Sequence, residues 1–164
     1  FYIYTQTWTW IPAILLLLVW MWRKWGVRSL YVVAGIALCI LLSDQISSSL
    51  LKPLVARLRP TYNPEIADLI HTVNGYRGGR YGFVSSHATN ALCLTTVFAT
   101  ISRHRKSVIL IMGTWSLLTM YSRIYCGVHY PTDVICGALL GIAIGLFISW
   151  GYNFVKKKIK LKTK

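Results

Sequence analysis

The sequence predicts an all-α fold, a polytopic bundle of transmembrane helices, and three observations carry the prediction. Five apolar runs long enough to be helices divide the 164 residues. Hydrophobic residues make up 55% of the chain against 13% charged, too apolar a balance for an ordinary water-soluble domain of this length. The basic residues gather in the short polar intervals between the runs, which is a membrane-topology pattern.

Residues 7–22 form the first run, with an aliphatic centre from Ile14 to Val19. Trp8 and Trp10 stand at one end of it and Trp20, Trp22 and Trp25 at the other, where indole rings favour the two headgroup levels. The run is short against the roughly 20 residues of a typical span and draws on residues 1–6 for length. Arg23, Lys24 and Arg28 close it. Residues 30–51 form the second run, whose far half carries Ser43, Asp44, Gln45 and Ser47 to Ser49 and should therefore face the bundle interior or water. Asp44 is expected off the face of Lys52, in a hydrogen bond between helices.

Residues 52–84 are the one long polar interval and read as a short helix followed by a loop with tight turns, from Pro53, Pro60, Pro64, Asn74-Gly75, Gly78-Gly79 and Gly82. Residues 85–102 are marginal in hydropathy, but their basic end, Arg103 to Lys106, and their place in the alternation predict a third span. Residues 107–121 and 132–150 are the fourth and fifth. The fifth has Gly137, Gly141 and Gly145 at intervals of four, which either lets a second helix approach closely or reflects the tolerance of glycine in lipid. The lysine-rich end from Lys156 to Lys164 is expected to be solvated or to lie on anionic headgroups.

The formal charge of +14, from 18 Lys+Arg against 4 Asp+Glu, falls mainly on one side if all five runs span. The positive-inside rule makes that side cytoplasmic, so the long loop and the connection around His129 face outward. A sixth span ahead of Phe1 would bring the N-terminus back to the cytoplasm. The chain opens on Phe1 without a charged n-region or a cleavage site, so its start reads as trimmed rather than as a signal peptide. No basic stripe with interleaved aromatics lies on a soluble segment, which argues against nucleic acid as a partner. Four scattered carboxylates are too few for a two-metal hydrolytic site, and four cysteines without a CxxC pair suggest packing rather than metal binding or a disulfide framework.

Chemistry concentrates where ionisable groups stand on the outward side. Arg123, His129 and Asp133 lie between the last two runs, and an ionisable residue at a membrane boundary is costly unless it is paired, hydrated or working. Lys52 and Arg59 are seven residues apart, which on a continuous helix puts them on one face about two turns apart, although Pro53 biases Lys52 away from the helical region. Ser85 and Ser86 open the third span, where free backbone N–H groups make an anion site, and His87 follows them. Three cations, backbone donors, two imidazoles and a carboxylate suit phosphoryl transfer: guanidinium groups match phosphoryl oxygens, and an imidazole can attack phosphorus in line. Arg57, Arg77 and Arg80 read as solvated or headgroup-facing, and His71 and His104 as uninvolved.

These segments resemble the type 2 phosphatidic acid phosphatase (PAP2) superfamily of membrane lipid phosphatases, whose signatures are K-x6-RP, PSGH and SR-x5-H-x3-D. Lys52 to Pro60 matches the first and Ser122 to Asp133 the third; the second departs at Val84 and Ser86. The resemblance implies a phosphatase that needs no metal or other cofactor. His129 would be the nucleophile, Asp133 its partner, and His87 the acid for the leaving group. Lys52, Arg59, Arg123, Ser85 and Ser86 would hold the phosphate. The implied substrate is a lipid phosphate or diphosphate met in the bilayer of a bacterial inner membrane, with undecaprenyl diphosphate first and lipid A or phosphatidylglycerophosphate next. The alternative of another class is a membrane protein that binds or transports anionic lipids without turnover.

Overall fold

The computed structural model describes residues 7–162. Helix α1, Thr7–Trp25, turns through Gly26 and Val27 into α2, Arg28–Asp44. Gly26 takes a left-handed φ of 53°, and its carbonyl accepts the Ser29 hydroxyl at 2.6 Å. Helix α2 passes without a break into a π-helical segment, Gln45–Leu51, and a last α turn, α3, Lys52–Val55. After residues 56–85 come α4 (Ser86–Ile101), α5 (Arg105–Tyr125) and α6 (Pro131–Lys162).

Three helical segments, Ser29–Val55, Arg105–Tyr125 and Pro131–Lys158, have the length and composition to cross a membrane, which makes this an integral membrane protein. The other two expected runs are also helical. Helix α1 has 19 residues but ends on Arg23 and Lys24. Helix α4 has only 16, about 24 Å of rise against a hydrocarbon core of about 30 Å. It is the central helix, with Ala88, Thr89, Ala91, Cys93 and Thr95 among its buried residues. Residues 1–6 and any span ahead of them lie outside the described residues.

Helices α4 and α6 run parallel and pack closely, because the glycines of α6 admit the α4 backbone to short distance. A Cβ at Gly137 would fall 2.6 Å from the Ser85 carbonyl oxygen, one at Gly145 would fall 2.8 Å from that of Cys93, and one at Gly141 would strike that of Thr89. Of the two readings of this stripe, close helix approach is the one the packing shows. Helix α5 runs antiparallel to α4 and is joined to it by buried hydroxyls. The Ser116 hydroxyl lies 2.9 Å from that of Thr95 and donates to the Ala91 carbonyl at 3.2 Å. Where no water competes, such bonds join helices that apolar contact alone would hold weakly.

Residues 56–85 fold over the end of the bundle where α3 finishes, α4 and α6 start and α5 finishes. Ala56 adopts a left-handed conformation and stops the helix. Residues 57–59 then run antiparallel to 80–82, with Arg59 N–H donating to the Arg80 carbonyl at 3.1 Å and Gly82 N–H to that of Arg57 at 2.9 Å. Asn63 Nδ2 donates to the Tyr130 hydroxyl at 3.1 Å, tying the loop to the α5–α6 connection.

Candidate active site

His129 sits in residues 126–130, the connection between α5 and α6, where Gly127 supplies a φ of 67°. Pro131 at the first position of α6 places Asp133 in its first turn. Both side chains are buried, His129 at 3% exposure and Asp133 at 0%. His129 Nδ1 lies 3.6 Å from Asp133 Oδ2, an ion-pair distance longer than a hydrogen bond. That carboxylate is already engaged: Oδ2 accepts the Tyr130 N–H at 3.0 Å, and Oδ1 accepts Arg57 Nη1 at 2.9 Å. With Nδ1 on the carboxylate side, Nε2 is the nitrogen left for a substrate.

Burial pushes the His129 imidazole down to about 4 from its ordinary 6.5; Asp133 opposes this, and the charges of Arg59 and Lys52 add to it. The ring is therefore neutral near pH 7, with a lone pair available. The unfolded chain takes up this proton below about 6.5 and the folded one only near 4. Stability should be full above 6.5 and should fall as pH drops through that window. Thermal unfolding in detergent from pH 7 to 4 should show the slope, and His129→Ala should flatten it. An unchanged slope in the variant would contradict a buried neutral imidazole.

Lys52 and Arg59 do not share a helix. Lys52 is helical despite preceding Pro53, the helix stops at Ala56, and Arg59 returns on an extended segment. Lys52 Nζ donates to the Ser86 hydroxyl at 2.6 Å and to that of Ser48 at 3.1 Å. The Ser48 hydroxyl meets Asp44 Oδ1 at 2.9 Å and Ser86 Oγ at 2.7 Å. Asp44 thus faces the Lys52 line, bonded within its own helix, and not away from it. Four residues overshoot one α turn of about 3.6 but fall short of a π turn closed i→i+5, so the mixed segment keeps Asp44, Ser48 and Lys52 in file.

Arg59 is 9% exposed, and its Nε donates to the Tyr81 carbonyl at 3.1 Å. Burial pulls its guanidinium below its ordinary value; Tyr76 opposes this, Arg123 adds to it and Asp133 opposes it. Gly82 closes on the site: a Cβ there would lie 3.0 Å from Asp133 Oδ2, 3.1 Å from Arg59 Cγ and 3.6 Å from His129 Nδ1. Arg123, expected in the connecting loop, is in the last turn of α5 and is buried. His87 stands exposed in the first turn of α4, within electrostatic reach of Arg123, His129, Lys52 and Arg59.

Ser85 N–H donates to the Asp133 carbonyl at 3.0 Å, so this expected phosphate donor is spent on joining α4 to α6. Ser86, His87 and Ala88 N–H precede the first intrahelical donor, Thr89 N–H to the Ser85 carbonyl, and remain the donors at this helix start. Arg57, expected toward solvent or headgroups, is instead bonded to Asp133 and Thr132. The site thus gathers Lys52, Arg57, Arg59 and Arg123 against Asp44 and Asp133, four cations to two carboxylates. The surplus of two positive charges matches a phosphate monoester dianion. Sequence reasoning missed Ser48, Gly82 and the roles of Asp44 and Arg57; only the spacing of Arg57 from Arg59 carried a signal, since alternate residues of an extended segment share a side.

The PAP2 superfamily profile matches residues 28–157. A lipid A 4'-phosphatase of Porphyromonas gingivalis is 39% identical over 164 residues, 96% of this chain and 67% of that protein. One from Bacteroides thetaiotaomicron is 45% identical over 137 residues, 82% of this chain and 58% of that protein. The chain thus spans about three fifths to two thirds of these relatives' length. Among solved structures, the first transmembrane PAP2 type phosphatidylglycerolphosphate phosphatase, from Bacillus subtilis, superposes with a TM-score of 0.61 at 27% identity, covering 93% of this chain and 71% of that one.

Proposed function

The chain belongs to the PAP2 superfamily, and from that premise we propose that it removes the phosphate of a membrane lipid monoester through a phosphohistidine on His129, with lipid A as the favoured substrate. The observation that carries the reading is the buried His129–Asp133 pair among Arg59, Arg123 and Lys52. Nε2 attacks phosphorus, the P–O bond to the lipid breaks, and His87 gives its proton to the departing oxygen. Asp133 supports the positive charge that develops on the imidazole. Water, deprotonated by His87, then attacks phosphorus; the P–N bond breaks, and phosphate and neutral His129 are restored. Lys52, Arg59, Arg123 and the first-turn donors of α4 hold the phosphoryl oxygens as charge moves between them.

Undecaprenyl diphosphate, first on sequence grounds, moves behind lipid A because the two relatives named for lipid A 4'-phosphatase are 39% and 45% identical to this chain. The surplus of two charges also suits a terminal monoester. We place the protein in the bacterial inner membrane as one domain, with this end of the bundle facing the periplasm, because Arg23, Lys24, Arg28, Arg103, Arg105 and Lys106 lie at the opposite end. The test is phosphate release by purified protein with chelator present, from lipid A, phosphatidylglycerophosphate, phosphatidic acid and undecaprenyl diphosphate. Release should be fastest from lipid A and indifferent to chelator. Release that needs an added divalent cation would overturn the metal-free step, and lipid binding without release would leave a binding protein.

A further inference from the structure

We infer that Arg57 is a positioning residue that orients the Asp133 carboxylate toward His129. The inference rests on the reading of His129 and Asp133 given above. Asp133 is fully buried, and a carboxylate there has two equivalent oxygens and a free torsion. Arg57 removes the ambiguity by taking Oδ1 at 2.9 Å, which leaves Oδ2 to the Tyr130 N–H and to His129 Nδ1. The same Nη1 donates to the Thr132 hydroxyl at 2.8 Å, and the guanidinium carbon lies 4.2 Å from the centre of the Tyr130 ring. The Asn63 bond to the Tyr130 hydroxyl holds that ring.

Arg57 is therefore gripped from three sides, by an acid, a hydroxyl and an aromatic face, although its side chain is 38% exposed. It reaches the site because Leu58 pairs with Tyr81, which makes the segment locally extended and sends Arg57 and Arg59 to the same side. One short segment thus delivers one guanidinium to the carboxylate and another to the expected phosphate.

Arg57 acts through Asp133, so its loss should register in the proton affinity of His129. Asp133 from α6, Arg59 from the extended segment, Lys52 from α3 and His87 from α4 act on that imidazole, with Arg57 bonded to Asp133 and Arg123, from α5, acting on His87. Removing Arg57 takes away a nearby cation and frees Asp133 Oδ1, which leaves more of the carboxylate's charge to the imidazole, and both changes favour the imidazolium.

The experiment follows the imidazole signals of isotope-labelled, full-length protein in micelles across pH, for the wild type, Arg57→Ala and Arg57→Lys. The expected result is a His129 midpoint raised by about one unit in Arg57→Ala and largely restored in Arg57→Lys. This readout needs no turnover, so it stands apart from the phosphatase reading. An unmoved midpoint in a folded Arg57→Ala protein would overturn the inference. In phosphate-release assays, Arg57→Ala should lower kcat about 10- to 100-fold with little change in KM. A rise in KM at constant kcat would instead make Arg57 a substrate-binding cation and would equally overturn it.

Discussion

His129→Ala should reduce phosphate release by at least about 10⁴-fold, because it removes the proposed nucleophile. His87 is the other imidazole within reach, but it opens α4 and stands exposed, without a carboxylate of its own among its described contacts. The cation set is untouched by the change, so lipid binding should survive within a few-fold. That separation makes the result informative. A base-quenched single turnover with radiolabelled lipid phosphate should trap label on the wild-type chain and none on the variant. Turnover in the variant within tenfold of the wild type would remove His129 from the nucleophile's place, whatever became of the rest of the site.

Gly141→Leu should destabilise the bundle by about 3 kcal/mol. The position abuts the Thr89 carbonyl oxygen, with Cys93 N 3.0 Å from a Cβ there, and a backbone cannot step aside as a flexible side chain can. Separating α4 from α6 would also pull Ser85 N–H from the Asp133 carbonyl and so spread the site. Activity and thermal stability should fall together. Gly113, on α5, has open space where its Cβ would lie, so Gly113→Ala should leave stability unchanged or slightly raised. Comparable losses from the two substitutions in detergent-solubilised protein would show that the α4–α6 contact is not the one that holds the bundle.

The membrane-helix character, the approximate run boundaries and the three motif segments were legible in the sequence because each rests on neighbours along the chain. Apolar length decides whether a helix can cross lipid, and the residues Ser122-Arg123, His129 and Asp133 keep their spacing whatever surrounds them. Register within a helix was less legible. Asp44 was placed off the Lys52 face on an ideal α-helix, and the π segment turned it back. The central place of α4 was also hidden, since its packing against α5 and α6, and not its hydropathy, puts it there.

By itself the sequence determined an all-helical membrane protein with three family motif segments, since hydropathy, charge and motif spacing are local quantities. Only the tertiary structure decided which backbone donors are already bonded and which groups hold the His129–Asp133 pair. Ser85 N–H is committed to a carbonyl 48 residues away and Arg57 to a carboxylate 76 residues away. A hydrogen bond acts over about 3 Å, and no pattern along the chain records which distant groups the fold brings within that distance.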